Sequence, residues 1–147
     1  NYRYTNLQAA FGLGQLLNIK WAVKRKMQIG KIYYERLKDN KFISIQKPKT
    51  SFANNIYWVF GVLINKNSKI GRDKLAKILL KRNIQTRNFF FPMHKQKIFK
   101  KMKIFNIKEK YPIAEDISKR GLYLPSGLGI KNSEIHHICG VLSSILK

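Results

Sequence analysis

Apolar positions recur at two different spacings along the chain, and the switches between them mark its elements. From Asn6 to Leu17, the positions Leu7, Ala10, Phe11, Gly14 and Leu17 share one face at helical spacing, which predicts a helix capped by Thr5 or Asn6. Its small residues Ala9, Ala10, Gly12 and Gly14 allow close approach of another backbone. After a break at Asn18 a longer helix runs to Leu37. Its apolar positions include Ala22, Ile29, Ile32, Tyr33 and Leu37, and Lys24, Lys26, Lys31, Glu35 and Lys38 lie on the other face. Residues 42–45 predict a short edge strand, and residues 48–54 a loop. Residues 55–64 are apolar or aromatic almost without alternation, the pattern of a strand covered on both faces and therefore central in its sheet. Residues 72–82 predict an amphipathic helix ended by Asn83 in the left-handed conformation, and residues 84–87 a strand. Residues 95–109 read as irregular or weakly helical. Pro112 opens a short helix that Gly121 stops, and residues 122–125 form a brief strand closed by a turn at 126–129. Ser133 is placed to cap a last helix with Ile135, Ile138, Leu142 and Ile145 in one stripe. The sum is a small α+β domain whose small sheet is packed against helices.

Composition leaves that picture intact. A chain of 147 residues with 44% hydrophobic content has room for one domain with a real core. Its longest apolar run, residues 56–64 broken only by Gly61, is far below the roughly 20 residues a membrane-spanning helix needs. The single cysteine, Cys139, excludes an internal disulfide and fits a reducing compartment. The chain opens at Asn1-Tyr2-Arg3 without a Met or a signal-peptide pattern, so a longer parent protein is expected. Net charge is +23, which suggests a basic nucleic-acid-binding module. The excess, however, is 23 Lys against 7 Arg, spread along a chain rich in Ile, Asn, Phe and Tyr, all residues with AT-rich codons. Even the densest patch, Lys95, Lys97, Lys100, Lys101 and Lys103, is expected to be a solvated surface with no specific nucleic-acid partner.

The chemistry concentrates in residues 86–94, where Arg87, the consecutive aromatics Phe89, Phe90 and Phe91, the rigid Pro92 and the imidazole of His94 follow one another. Pro92 removes a backbone donor and biases Phe91 towards an extended conformation. The stretch reads as a strand end turning into a loop that presents Arg87 and His94 beside an aromatic wall, which suits an anionic ligand with flat or sugar-like surfaces. The plainer alternative is three phenylalanines plugging a core. Elsewhere the seven acidic residues show no paired carboxylates. His136 and Cys139 share a helical face with His137 nearby, but they lack the further ligands a metal site needs. Ser126 lacks a nucleophile-elbow pattern, and Gly12-Leu13-Gly14 is no dinucleotide fingerprint. The sequence therefore offers no catalytic residue and no metal ligand of its own.

Five blocks follow one another in order: residues 1–10 with Gly12 and Gln15-Leu16; Tyr57-Trp58; Ile84-Gln85-Thr86-Arg87; Phe91-Pro92-Met93-His94 with Gln96; and residues 120–126. Together they resemble the C-terminal half of the pyridoxal-phosphate-dependent sugar aminotransferases of the DegT/DnrJ/EryC1/StrS family. The Phe-Phe-Phe-Pro-Met-His form most resembles perosamine synthetase-like members. The resemblance implies the small C-terminal domain of the aspartate-aminotransferase-like fold, with residues 1–40 as interface helices leading from a large domain and residues 41–147 as the small domain. It implies the cofactor pyridoxal 5'-phosphate, a homodimer with shared active sites, and a cytoplasmic enzyme of surface polysaccharide synthesis. That enzyme would aminate a nucleotide-linked keto sugar, GDP-4-keto-6-deoxymannose, at the expense of an amino acid such as glutamate. The Schiff-base lysine would lie upstream, leaving this fragment inactive alone. Asn1, with Arg3 beside it, matches the position that reaches the cofactor phosphate of the neighbouring subunit. His94 matches a residue near the bound sugar nucleotide, with Arg87 and Phe90 as further parts of the substrate wall. A dehydratase of the same family, in which His replaces that lysine, is the alternative within the resemblance. The chain departs from the family where Lys97 stands at a common Pro position and in its lysine-rich residues 97–110.

Overall fold

The structure is a computed structural model, and it describes residues 2–105 and 110–147. Helix α1 (Asn6–Leu17) begins with a capping box. The Gln8 backbone N–H donates to Thr5 Oγ1 at 3.2 Å and the Thr5 N–H donates to Gln8 Oε1 at 2.9 Å. α1 buries none of its residues, and Leu7, Phe11, Leu16 and Leu17 stay exposed. Helix α2 (Ile19–Leu37) continues this exposed apolar surface with Ile19 and Trp21. Its second half then turns Ile29, Tyr33 and Leu37 into the core.

The sheet has four antiparallel strands in the order β1-β2-β4-β3: β1 (Ile43–Ile45), β2 (Phe60–Ile64), β3 (Arg87–Asn88) and β4 (Gly121–Leu124). β2 is central and β1 lies at an edge, as their patterns predict. Register divides the side chains by face. Phe60 pairs with Leu124 and Val62 with Leu122 on one side, and Gly61 pairs with Tyr123 and Leu63 with Gly121 on the other. The first side holds the main core, where Tyr33 stacks on Phe60 with ring centroids 4.7 Å apart. Leu75 and Leu79 of α3 (Arg72–Leu80) and Ile135 and Leu142 of α6 (Asn132–Ile145) complete it, all fully buried. The second side carries Phe89, whose N–H donates to the Gly121 carbonyl at 3.2 Å and whose ring stacks on Tyr123 at 4.4 Å.

Two strands are shorter than their patterns predict. The run over residues 55–64 becomes strand only at Phe60, because Tyr57 takes a φ of 52° and its N–H is held by Asn55 Oδ1 at 2.8 Å. That turn drops the Tyr57 ring into the core against Phe60. It fits only because Gly30 has no side chain: a Cβ there would stand 2.1 Å from the ring. Residues 84–87 likewise yield strand only at Arg87–Asn88. Asn83 does take the left-handed conformation, with φ of 59°, and Ile84 then plugs the core instead of joining the ladder.

The remaining elements are a 3₁₀ turn (Met93–Lys95), α4 (Lys97–Lys101) and α5 (Pro112–Arg120). The sequence expectation for residues 106–109 lies outside the described residues. The N-cap of the last helix is Lys131, two residues before Ser133; the Lys131 N–H donates to the Glu134 carboxylate at 2.7 Å.

Candidate functional site

Residues from four segments line a groove of about 680 Å³ on and beside the second face of the sheet. Arg87 opens β3 opposite Tyr123 in register. Trp58 arrives from the turn that precedes β2, Ser126 from the loop after β4, and Lys26 from α2. Phe90 meets Tyr123 edge-on at 6.0 Å and an interplanar angle of 61°. Trp58 and Phe90 are 68% and 73% exposed, flat apolar surface that nothing among the described residues covers.

The three phenylalanines divide their labour. Phe89 is the anchor: Cβ atoms built at Gly61 and Gly121 would come within 2.7 Å and 2.3 Å of its ring, so both positions are open seats for it. Phe90 faces the groove, and Phe91 stays exposed. The opposite wall is fixed from α2. Lys26 Nζ donates to the Ser126 carbonyl at 2.6 Å, Tyr33 Oη to the Pro125 carbonyl at 2.7 Å, and Arg25 to Asn132 Oδ1 at 2.9 Å and to the Ile130 carbonyl. Partial burial lowers the Lys26 pKa below its ordinary value. Chemically the groove offers the exposed guanidinium of Arg87 and the ammonium of Lys26 beside two exposed aromatic faces, a match for a phosphorylated ligand with a flat group.

His94 does not line that groove. Pro92 and the 3₁₀ turn carry its ring to α5, where Nε2 lies 3.0 Å from Glu115 Oε1 while Lys95 Nζ pairs with the other carboxylate oxygen. Tyr111 flanks the imidazole at 4.7 Å. Hydrogen bonds from Lys95, first, and His94 hold the Glu115 carboxyl below the usual carboxylate range. The structure thus places Arg87 and Phe90 on one groove and, contrary to the expectation that Arg87 and His94 are presented together, sets His94 in a separate polar cluster. Of the two residues matched to a cofactor phosphate, Asn1 lies outside the described residues, and Arg3 is exposed on the extended segment before α1. An exposed guanidinium at that place suits a phosphate, with its planar fork of donors.

Sequence reasoning missed Lys26, Trp58 and Tyr123 in the groove and Glu115 beside His94. Tyr123 carried a signal, since it alternates with Leu122 and Leu124 and had to face away from the core. Between α2 and α6, Arg36 Nε donates to His136 Nδ1 at 2.9 Å, and burial pushes the Cys139 thiol up to about 12. Among the described residues no group of His, Cys, Asp or Glu is arranged to hold a metal ion, and no helix is long and apolar enough to cross a membrane.

Residues 1–143 match the DegT/DnrJ/EryC1/StrS aminotransferase family. The GDP-perosamine synthase of Escherichia coli O157:H7 is 32% identical over 139 residues, which cover 95% of this chain and 35% of that protein. The GDP-perosamine synthase of Vibrio cholerae is 30% identical over 145 residues, 98% of this chain and 38% of that protein. The chain therefore spans little more than a third of these relatives. Among solved structures, a Helicobacter pylori aminotransferase involved in the biosynthesis of pseudoaminic acid matches with a TM-score of 0.85 at 17% identity, over 99% of this chain and 38% of that one. The E. coli GDP-4-keto-6-deoxy-D-mannose-3-dehydratase with bound hydrated PLP matches with a TM-score of 0.73 at 20% identity, over 92% and 34%. Both share the fold: a small antiparallel sheet packed against helices, as found in PLP-dependent sugar aminotransferases.

Proposed function

Because the chain belongs to the DegT/DnrJ/EryC1/StrS aminotransferase family, whose aminotransferases depend on pyridoxal phosphate, we propose that it is the substrate-binding small domain of an enzyme that aminates a nucleotide-linked keto sugar. The observation that carries this reading is the groove, with Arg87 and Lys26 beside Trp58, Phe90 and Tyr123. A nucleotide sugar combines the chemistries these residues complement: a flat base, a diphosphate and a sugar. The guanidinium of Arg87 forks onto phosphate oxygens, with Lys26 adding charge, and the exposed rings of Trp58 and Phe90 stack on flat apolar surface. His94, in its own cluster, takes the sugar end. The perosamine synthase relatives support a GDP-linked sugar, and the reading takes GDP-4-keto-6-deoxymannose as the keto sugar and an amino acid such as glutamate as the donor.

Arg3 and Asn1 would hold the cofactor's phosphate, the guanidinium and the carboxamide both acting as donors. When bound, pyridoxal phosphate supplies the electron sink for moving the amino group, and the protein supplies orientation. Residues 1–40 would lead from a larger domain, and the exposed apolar residues of α1 and early α2 suit burial in a subunit interface, in keeping with a homodimer that shares its active sites.

The test is to supply the full-length protein with GDP-4-keto-6-deoxymannose and nitrogen-labelled glutamate and to follow the label by mass spectrometry. The expected product is an amino sugar carrying the label. Loss of a hydroxyl without uptake of label would favour a dehydratase instead, the activity of one solved relative. The +23 charge is assigned to solvated lysines, so binding to DNA or RNA should be weak, independent of sequence and steeply salt-dependent. A sequence-specific complex that survives physiological salt would contradict that assignment.

A further inference from the structure

Glu115 lies in the first turn of α5, and both its oxygens reach the 3₁₀ turn of residues 93–95. Oε1 is 3.0 Å from His94 Nε2, and Oε2 pairs with Lys95 Nζ. With its carboxyl held below the usual range by these two partners, Glu115 is ionised near neutral pH. An ionised carboxylate has no proton to give and can only accept. The proton in the His94 contact is therefore on Nε2. In a neutral imidazole that leaves Nδ1 as the bare acceptor. The ring is also held in place. Tyr111 flanks it at 4.7 Å, Phe105 meets it edge-on at 6.4 Å, and its side chain is 15% exposed.

We propose that Glu115 is the positioning residue for His94, fixing the Nε2–H tautomer so that Nδ1 accepts a hydrogen bond from a hydroxyl of the nucleotide-linked sugar. The second half of this proposal rests on the reading of His94 as a substrate contact. It adds a division of roles. Arg87 and Lys26, as cations, serve the diphosphate, and an imidazole whose free nitrogen is an acceptor selects a group that donates. Lys95 shares the same carboxylate and offsets its charge, so Glu115 holds His94 without leaving a bare negative charge beside the ligand.

Two readouts test it. The first is the tautomer of His94, read by long-range nitrogen–proton NMR on protein carrying isotope-labelled histidine, with no ligand present. At a pH where the ring is neutral, the expected spectrum shows one tautomer, protonated on Nε2. In Glu115→Gln the amide can turn to donate or accept, and both forms should appear. A ring protonated on Nδ1 in the unmutated protein, or a spectrum unchanged in Glu115→Gln, overturns the proposal. The second readout is kinetic, on the full-length enzyme. Glu115→Gln should raise KM for the keto sugar about tenfold while kcat at saturating sugar changes by less than about twofold. Glu115→Asp should recover part of the loss. The double variant with His94→Ala should be no worse than His94→Ala alone, because Glu115 acts only through that ring. Additive losses would show an independent structural role and overturn the proposal. Absence of amination by the unmutated enzyme would refute the function, and with it the sugar-facing half of the proposal. The tautomer alone then decides the Glu115–His94 half.

Discussion

Gly121→Ala tests how the sheet positions the groove. The new Cβ would lie 2.3 Å from Phe89 Cγ, 2.4 Å from Cδ2 and 2.6 Å from Cδ1. That is roughly 1 Å inside a normal carbon–carbon separation. Turning the ring gives no relief, because Cγ lies on the axis about which the ring turns. The backbone of residues 88–90 must move instead, straining the Phe89 N–H bond to the Gly121 carbonyl and the short pairing of β3 with β4. Overpacking of this kind costs about 1–3 kcal/mol. Replacing a glycine within an element returns about 0.5–1 kcal/mol of chain entropy. The net expectation is a loss of about 1–2 kcal/mol, or a Tm lowered by about 2–8 °C for a domain of this size. Phe90 lies in the displaced segment and Arg87 directly precedes it, so nucleotide-sugar affinity should fall with stability. The assay is urea and thermal unfolding of the Gly121→Ala protein, alone and in a Phe89→Ala background. In that background the clash is gone, and Gly121→Ala should become neutral or stabilising. Wild-type stability in the single variant, or the same cost in both backgrounds, would refute the seating of Phe89 over Gly121.

Gly30→Ala, in mid-helix, should destabilise by about 2–3 kcal/mol in urea unfolding, since its Cβ would stand 2.1 Å from the Tyr57 ring. An exposed helical glycine would instead gain about 1 kcal/mol from the change, so the sign of the effect is the check. Cys139 is buried, with its thiol pushed up to about 12. It should react with a disulfide reagent at mildly alkaline pH only as fast as the protein opens, and immediate stoichiometric labelling would place it on the surface. Glu115 and Asp116 both have carboxyls held below their ordinary values of 4.5 and 3.8, Glu115 by Lys95 and His94 and Asp116 by Arg120. A depressed carboxylate stabilises the fold above its ordinary value and loses that contribution as pH falls through its lower value in the fold. The acid limb of a stability profile should therefore begin below about pH 4.5 and flatten in a Glu115→Gln, Asp116→Asn double variant.

The helices were legible because their signals are local. Thr5 and Gln8 cap α1, Pro112 starts α5, Gly121 ends it, and spacing alone marks the buried stripe of α6. The central place of β2 was legible from an unbroken apolar run. What stayed hidden was set by partners distant in the chain. Nothing around Tyr57 signals a positive φ, because the slot that rewards it belongs to Gly30 on α2. Lys26 read as part of the polar face of α2, yet it holds the carbonyl of residue 126 and so helps build one wall of the groove. Periodicity carries no record of such bonds. His94 is close to Arg87 in sequence, but Pro92 and a 3₁₀ turn send it to α5, where Glu115 and Lys95 hold it. Residue types pointed to Arg87 and Phe90, which line one groove, and they could not say that the imidazole stands apart.

The central claim is that this chain recognises the keto sugar and leaves nitrogen acceptance from the donor to groups elsewhere. Single-turnover kinetics of the two half-reactions, measured separately in full-length Arg87→Ala and His94→Ala, test it most directly. Each variant should accept nitrogen from the amino acid at the unmutated rate. Each should then deliver it to the keto sugar about ten- to a hundredfold less efficiently, the loss expected for one hydrogen bond involving a charged or buried partner. Equal losses in both half-reactions, or none in the second, would contradict the claim.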